Sequence, residues 1–307
     1  FKRDCGYKYK TEKDILNAFY KYTQEHKESR FGITREFMEK WAIPKVKEGR
    51  KSVANRVSVL REFTLYLSRL GYKVHIPTPI KNARNKSFIP YIFSKEEIGK
   101  IFYEIDNYPT SRYNRYNSNE VYPLLFRFLY GCGLRISEAL NIKIKDVDTA
   151  TGRVEIFIAK NDQERVVMMS ESLREISHWY KIQHLALKDE NSTFFQHKDG
   201  SVRSIYQVNG FFRTILYRAK IPYMGRGKGP YLHNLRHTFA SHSFYQMHTN
   251  GLDMNVSLPI LSTYLGHKNI RATERYLKFA QSQFPMMISQ IADISSGIYV
   301  EVEFEKE

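Results

Sequence analysis

Along most of this chain apolar residues return every three or four positions, the period of a helix with one buried face. Residues 12–26 and 35–48 read as the first two helices, the former with Ile15, Leu16, Phe19 and Tyr20 at helical spacing. A third is sharper: Val53, Val57, Leu60, Phe63, Leu67 and Leu70 form one stripe, and Gly71 follows as its stop. Arg56, Arg61 and Arg69 fall off that stripe, on a face open to a partner. These elements predict a small helical bundle over residues 1–72. Residues 73–90 break the pattern with Pro77, Pro79, Pro90 and four basic side chains, and read as a linker.

Helical periodicity resumes at Ser94, whose hydroxyl caps a helix while Glu97, three residues on, completes a capping box. One segment departs from it. Residues 153–169 read as two β-branched strands around a polar Asn161–Glu164 turn, hence a hairpin. Helices follow near 171–187, 204–219, 232–247, 256–265 and 270–280, and strict alternation at residues 300–305 predicts a terminal strand. The fold class is therefore mainly α with a small β-hairpin or sheet.

Charge changes the picture from fold to partner. The formal net charge is +16, from 48 basic and 32 acidic side chains, which favours a polyanion. From Gly200 to Leu252 there is no Asp or Glu, yet Arg203, Arg213, Arg218, Lys220, Arg226, Lys228 and Arg236 lie there. A second such stretch, Lys73 to Lys95, holds Lys81, Arg84 and Lys86. A surface that holds phosphates excludes carboxylates because they repel the ligand and weaken each basic contact. No apolar run approaches the ~20 residues that span a bilayer, so a membrane reading loses. Cys5 and Cys132 are the only cysteines, which suits a reducing, cytoplasmic setting and excludes a disulfide framework. The chain opens at Phe1 without an initiator Met, leaving room for a further domain upstream.

Cleaving a phosphodiester without a metal takes planar cations for the non-bridging oxygens, a proton for the leaving oxygen and a nucleophile. Four segments supply those groups. Gly133-Leu134-Arg135-Ile136-Ser137-Glu138 opens a helix at an Arg, and Lys160 ends the first hairpin strand. His233 and Arg236, in Leu232-His233-Asn234-Leu235-Arg236-His237-Thr238-Phe239, share one helical face. Leu265-Gly266-His267 precedes Tyr276 by nine residues. Taken singly each has an ordinary reading: a solvated Arg, an edge-protecting Lys, a packed Tyr. His233 and His237 are four apart, but no Glu follows His233, so the His-Glu-x-x-His zinc pattern fails. No metal or cofactor is expected.

The ordered set closely resembles the tyrosine recombinase (phage-type integrase) family over roughly residues 90–280. That resemblance implies a helical core-binding domain at 1–72, a basic linker at 73–90, a catalytic domain at 91–285 and a tail at 286–307. It makes Tyr276 the nucleophile, Arg135 and Arg236 the clamps on the scissile phosphate, and Lys160 the general acid to the leaving 5′-oxygen. His233 and His267 would hydrogen-bond the phosphate, and Glu138 would orient its neighbours. Arg56, Arg61, Lys81, Arg84, Lys86, Arg226 and Lys228 are the expected DNA contacts. Implied partners are double-stranded recombination sites and a homo-tetramer assembled on DNA, with mobile-element work favoured. The tail, with Phe284, Met286, Met287, Ile288 and Ile291, would dock on its own or a neighbouring subunit. Two departures stand out. The gap from Arg236 to His267 is longer by a helical turn or two, with a longer loop expected at His248–Asp253, and position 234 is Asn where the family often has Asp. The rival enzyme is a type IB topoisomerase, and the rival from another class is a non-catalytic DNA-binding relative.

Overall fold

The computed structural model describes residues 4, 9–26, 33–46, 48–80, 90–109, 118–157, 164–222 and 229–267. The chain divides into two compact units, Phe1–Phe88 and Ile89–Glu307. In the first, α1 (Lys10–Glu25), α2 (Arg35–Ala42) and α3 (Arg50–Arg69) bury Phe19, Phe37, Met38, Trp41 and Leu60 together. The Phe19 ring meets Phe37 and Trp41 edge-on, with centroids 5.9 and 5.3 Å apart.

Three expectations for this unit are corrected. The second helix ends at Ala42 rather than 48: Pro44 has no N–H and forces Ile43 to extended backbone, with φ −58° and ψ 127°. That break exposes the Trp41 and Ile43 carbonyls, and Arg56 turns inward to satisfy both. Its guanidinium also pairs with Glu48 at 2.8 Å and lies over the Trp41 ring, leaving the residue 6% exposed. Arg56 is thus a strut of the bundle, not a DNA-facing side chain. Arg61 is half-buried and donates to the Pro77 carbonyl at 2.8 Å, while Arg69 is exposed. Leu70, expected at the end of the buried stripe, is itself exposed.

The second unit is built on α5 (Ser118–Gly131), whose Leu124, Leu125, Phe126, Phe128 and Leu129 are all buried. Around it pack α4 (Lys95–Asp106), α7 (Glu171–Tyr180) and α9 (Asn234–Thr249), with α8 (Ile205–Arg218) against α4. Phe126 stacks on Phe212 of α8 at 5.5 Å. Each such side chain removed from water stabilises the fold by roughly 1.5–3 kcal/mol. The capping box at the start of α4 forms as read: Ser94 Oγ accepts from Glu97 N, and Ser94 N donates to the Glu97 carboxylate at 2.8 Å. The helix expected over 171–187 continues past α7 as a π-turn, Lys181–Leu185.

A short helix, α6 (Ile136–Ala139), leads to an antiparallel sheet of β1 (Val147–Asp148), β2 (Arg153–Ile156) and β3 (Arg165–Met168) in that order. The hairpin register pairs Val154 with Val167 and Ile156 with Arg165. The two-residue β1 is too short to leave a pattern. The first strand, expected to end at Lys160, ends at Ile156; Lys160 itself and all of the expected turn except Glu164 lie outside the described residues.

Helix α10 (Met254–Leu265) returns against α9 through a compact corner. Gly251 adopts φ +86° and the Leu252 N–H closes on the Met247 carbonyl. The longer loop expected at His248–Asp253 is therefore a tight turn closing α9. The helix at 270–280, the tail and the terminal strand lie outside the described residues. No helix among the described residues is long and apolar enough to cross a membrane.

Candidate active site

Three backbone turns bring the site together. Gly133, at φ +59°, lets the chain leave α5 and pass under Phe239; a Cβ there would sit 2.3 Å from that ring, so no other residue fits. Arg135 follows with extended backbone as the first residue outside α6. At the far end of α10, Gly266 at φ +64° closes the helix with bonds from Gly266 N to Thr263 O and from His267 N to Ser262 O. That closure delivers His267 to the start of α9. There Asn234 Oδ1 accepts from Tyr231 N and its Nδ2 donates to Tyr91 O, both at 2.8 Å. Asp at position 234 could accept the first bond but not donate the second, which gives the Asn a physical reason.

At the centre is the fully buried carboxylate of Glu138. Oε1 accepts from Arg135 Nη1 at 2.5 Å and from Arg165 Nη1 at 3.1 Å. Oε2 accepts from Arg165 Nη2 at 2.7 Å and from the Arg135 backbone N–H at 2.9 Å. Arg236 Nη1 lies 3.7 Å from Oε2, with that side chain 1% exposed. The Arg236 guanidinium donates to the Gly133 and Leu265 carbonyls at 2.7 and 2.5 Å, and its Nη2 reaches His267 Nε2 at 3.2 Å. Arg135 is the more open of these two arginines, its side chain 18% exposed, with Nη2 3.3 Å from Gly266 O. Three guanidiniums against one carboxylate leave two net positive charges, an anion-binding centre.

Burial alone would raise the Glu138 carboxyl, but the Arg165 hydrogen bonds and charge, the Arg135 N–H and the Arg236 charge outweigh it and hold it at about 2. His267 moves down to about 4, first through burial and then through Arg236, Arg135, Arg165 and His233. At neutral pH its ring is uncharged, able to accept from Arg236 or carry one proton. His233, half-buried, packs edge-on against His237 with centroids 4.7 Å apart. The depressed His267 value fixes a sign for stability. An unfolded His takes up a proton near pH 6.5 that the folded one refuses until about 4, so stability falls as pH drops across that window. We expect the melting temperature to fall between those pH values, and His267→Gln to flatten that limb. Equal slopes in the two proteins would remove His267 as the cause. A second loss, from Glu138, follows between about 4.5 and 2.

The structure therefore brings Arg135, Glu138, Arg236 and His267 into one centre, with His233 at its edge. Lys81, Arg84, Lys86, Lys160, Arg226, Lys228 and Tyr276 lie outside the described residues. Among the described residues no three His, Cys, Asp or Glu side chains gather as a metal ligand set. One member was missed in the sequence: Arg165. Its signal was available, because Arg165 shares the inner face of β3 with buried Val167 and sits opposite buried Ile156. A charge on the apolar face of a strand demands a buried counter-charge.

Comparison with known proteins agrees with this geometry. The model of the phage integrase family matches residues 93–283. A protein of Pseudothermotoga lettingae named tyrosine recombinase is 28% identical over 243 residues, covering 79% of this chain and 75% of the relative. Among solved structures, the Tn1549 transposon integrase in complex with transposon right end DNA shares the fold, with a TM-score of 0.60 at 16% identity over 85% of each chain. The XerH site-specific recombinase bound to palindromic difH substrate does so with a TM-score of 0.59 at 20% identity, over 83% of this chain and 70% of that one. Fold and centre thus define an enzyme that cleaves and rejoins DNA, a site-specific recombinase. With more than half of its length matched, the chain belongs to the phage integrase family, the tyrosine recombinases.

Proposed function

We propose that Tyr276 is the nucleophile and that Arg135 and Arg236 grip the phosphate it attacks. The observation that carries this is the convergence of Arg135, Arg236 and His267 around one buried carboxylate, from three separate segments of the chain. Attack by the phenol oxygen forms a 3′-phosphotyrosyl bond and breaks the bond to the 5′-oxygen, which leaves as a hydroxyl with a proton from Lys160. His267, neutral and beside Arg236, hydrogen-bonds a non-bridging oxygen and assists proton transfer with His233. Because the ester conserves the energy of the broken linkage, a 5′-hydroxyl of a partner duplex reverses the step without ATP. Two such exchanges through a Holliday junction need two duplexes and four protomers, hence a homo-tetramer on DNA. The strongly basic charge and the long span from Arg236 to His267 are what support a mobile-element role in this reading. Arg61, Lys81, Arg84 and Lys86 would neutralise phosphates along the first unit and linker, and Arg226 and Lys228 those beside α9. A DNA partner fits the cytoplasmic setting expected above, with nucleoid association for a bacterial host.

The test is to trap the covalent complex on a nicked duplex and sequence the attached DNA and the modified peptide, with and without EDTA. The adduct should map to Tyr276 and form equally in both. An adduct elsewhere, or one lost on chelation, would overturn the assignment. A paired-site recombination assay beside a relaxation assay separates this reading from a topoisomerase-like one.

A further inference from the structure

We infer that Arg165 is a positioning residue for strand cleavage: it saturates Glu138 so that Arg135 and Arg236 keep their charge for the phosphate. The inference rests on the clamp reading above and extends it to a residue outside the motifs.

The geometry is that of a bracket. Arg165 projects from the inner face of β3, its side chain 7% exposed. Its two terminal nitrogens take both oxygens of Glu138 as a fork, at 3.1 and 2.7 Å, while Nε donates to the Tyr264 carbonyl at 2.9 Å. Its stem runs beneath Gly266, where a Cβ would meet Cδ at 3.2 Å. One side chain thereby ties α6, which carries Glu138 and is preceded by Arg135, to the end of α10, which delivers His267. It does so from the hairpin strand paired with β2, the strand that leads toward Lys160.

The electrostatic consequence is specific. Glu138 is fully buried and ionised, so it takes positive charge from whichever guanidinium lies nearest. With Arg165 present, three cations face one carboxylate. Without it, only Arg135 and Arg236 remain, and the carboxylate cancels half of their joint charge. A phosphate approaching that centre would meet one net positive charge rather than two. The deficit grows in the transition state, where the phosphoryl oxygens carry more charge than in bound DNA. Cleavage should therefore suffer more than binding.

The experiment is a double-mutant cycle of Arg165→Gln and Glu138→Gln, read by single-turnover cleavage of a nicked duplex, DNA affinity and melting temperature. Arg165→Gln should slow cleavage by about tenfold or more in the wild-type background and by less than about threefold in the Glu138→Gln background. Affinity should stay within about threefold. Arg165→Lys, which keeps the charge without the fork, should cleave at an intermediate rate and serves where the Gln variant fails to fold. Additive effects across the cycle, or a melting temperature and affinity that fall in step with cleavage, would show a merely structural role and end the proposal. Arg165→Gln or Arg165→Lys cleaving like the wild type would end it too. Tyr276→Phe run in parallel separates the two readings: an adduct surviving there breaks the site assignment, whereas a normal Arg165 variant beside an inert Tyr276→Phe removes only this inference.

Discussion

The Tyr276→Phe variant is expected to hold its DNA as tightly as the wild type and to form no covalent adduct, a loss of at least ~10⁴-fold in strand cleavage. The substitution keeps the ring and removes one hydroxyl, so packing and charge around the site are unchanged. The described chain reaches His267, nine residues short of Tyr276. Nine residues span at most ~30 Å when extended, so chain length alone does not keep position 276 from the centre. The nearer tyrosine, Tyr264, is a poor substitute. Its hydroxyl lies 3.4 Å from the Met168 carbonyl, and burial raises its pKa, so the phenolate is disfavoured. Tyr130 and Tyr91 are pushed up as well, by burial and, for Tyr91, by Glu97. A phenol facing two net positive charges has the opposite bias. Gel electrophoresis under denaturing conditions reads the outcome directly, and a retained adduct in Tyr276→Phe would send the search to another residue.

What was legible in the sequence depended on whether a signal was local. The Ser94–Glu97 capping box and the Gly71 stop are written in neighbouring residues and form as read; the hairpin strands pair as expected, though the first ends at Ile156. Helix α9, read near 232–247, buries Leu235, Thr238, Ala240 and Phe244 on several sides rather than along one stripe. Arg56 was misread because periodicity places a side chain on a face without saying what lies opposite. Pro44 ends α2 early, two carbonyls lose their helical partners, and a buried Arg becomes the means of satisfying them. Arg165 was missed for a related reason. Its counter-charge, Glu138, is 27 residues away, and only the closed fold shows that one carboxylate serves three arginines. Arg135, Glu138, Arg236 and His267, which the packing gathers, were legible as residue types in order, whereas the central place of the Glu138 carboxylate emerged only from that packing.

The two clamps should respond differently to truncation. Arg135→Ala is expected to cut cleavage by ~10³-fold while leaving stability and affinity nearly unchanged. Its side chain is the less buried of the two, its carboxylate partner keeps both oxygens on Arg165, and the Gly266 carbonyl it leaves is at the long distance of 3.3 Å. Arg236→Ala should match that loss of cleavage and add a cost of about 3–5 kcal/mol in folding stability. Here the guanidinium is almost fully buried, and removing it strands the Gly133 and Leu265 carbonyls. It also frees His267 from its 3.2 Å contact with Nη2, so the ring becomes easier to protonate. Chemical denaturation and single-turnover cleavage on the same preparations distinguish the two arginines. If Arg135→Ala were the less stable variant, or if either protein cleaved at the wild-type rate, the division of labour drawn from their burial would be wrong.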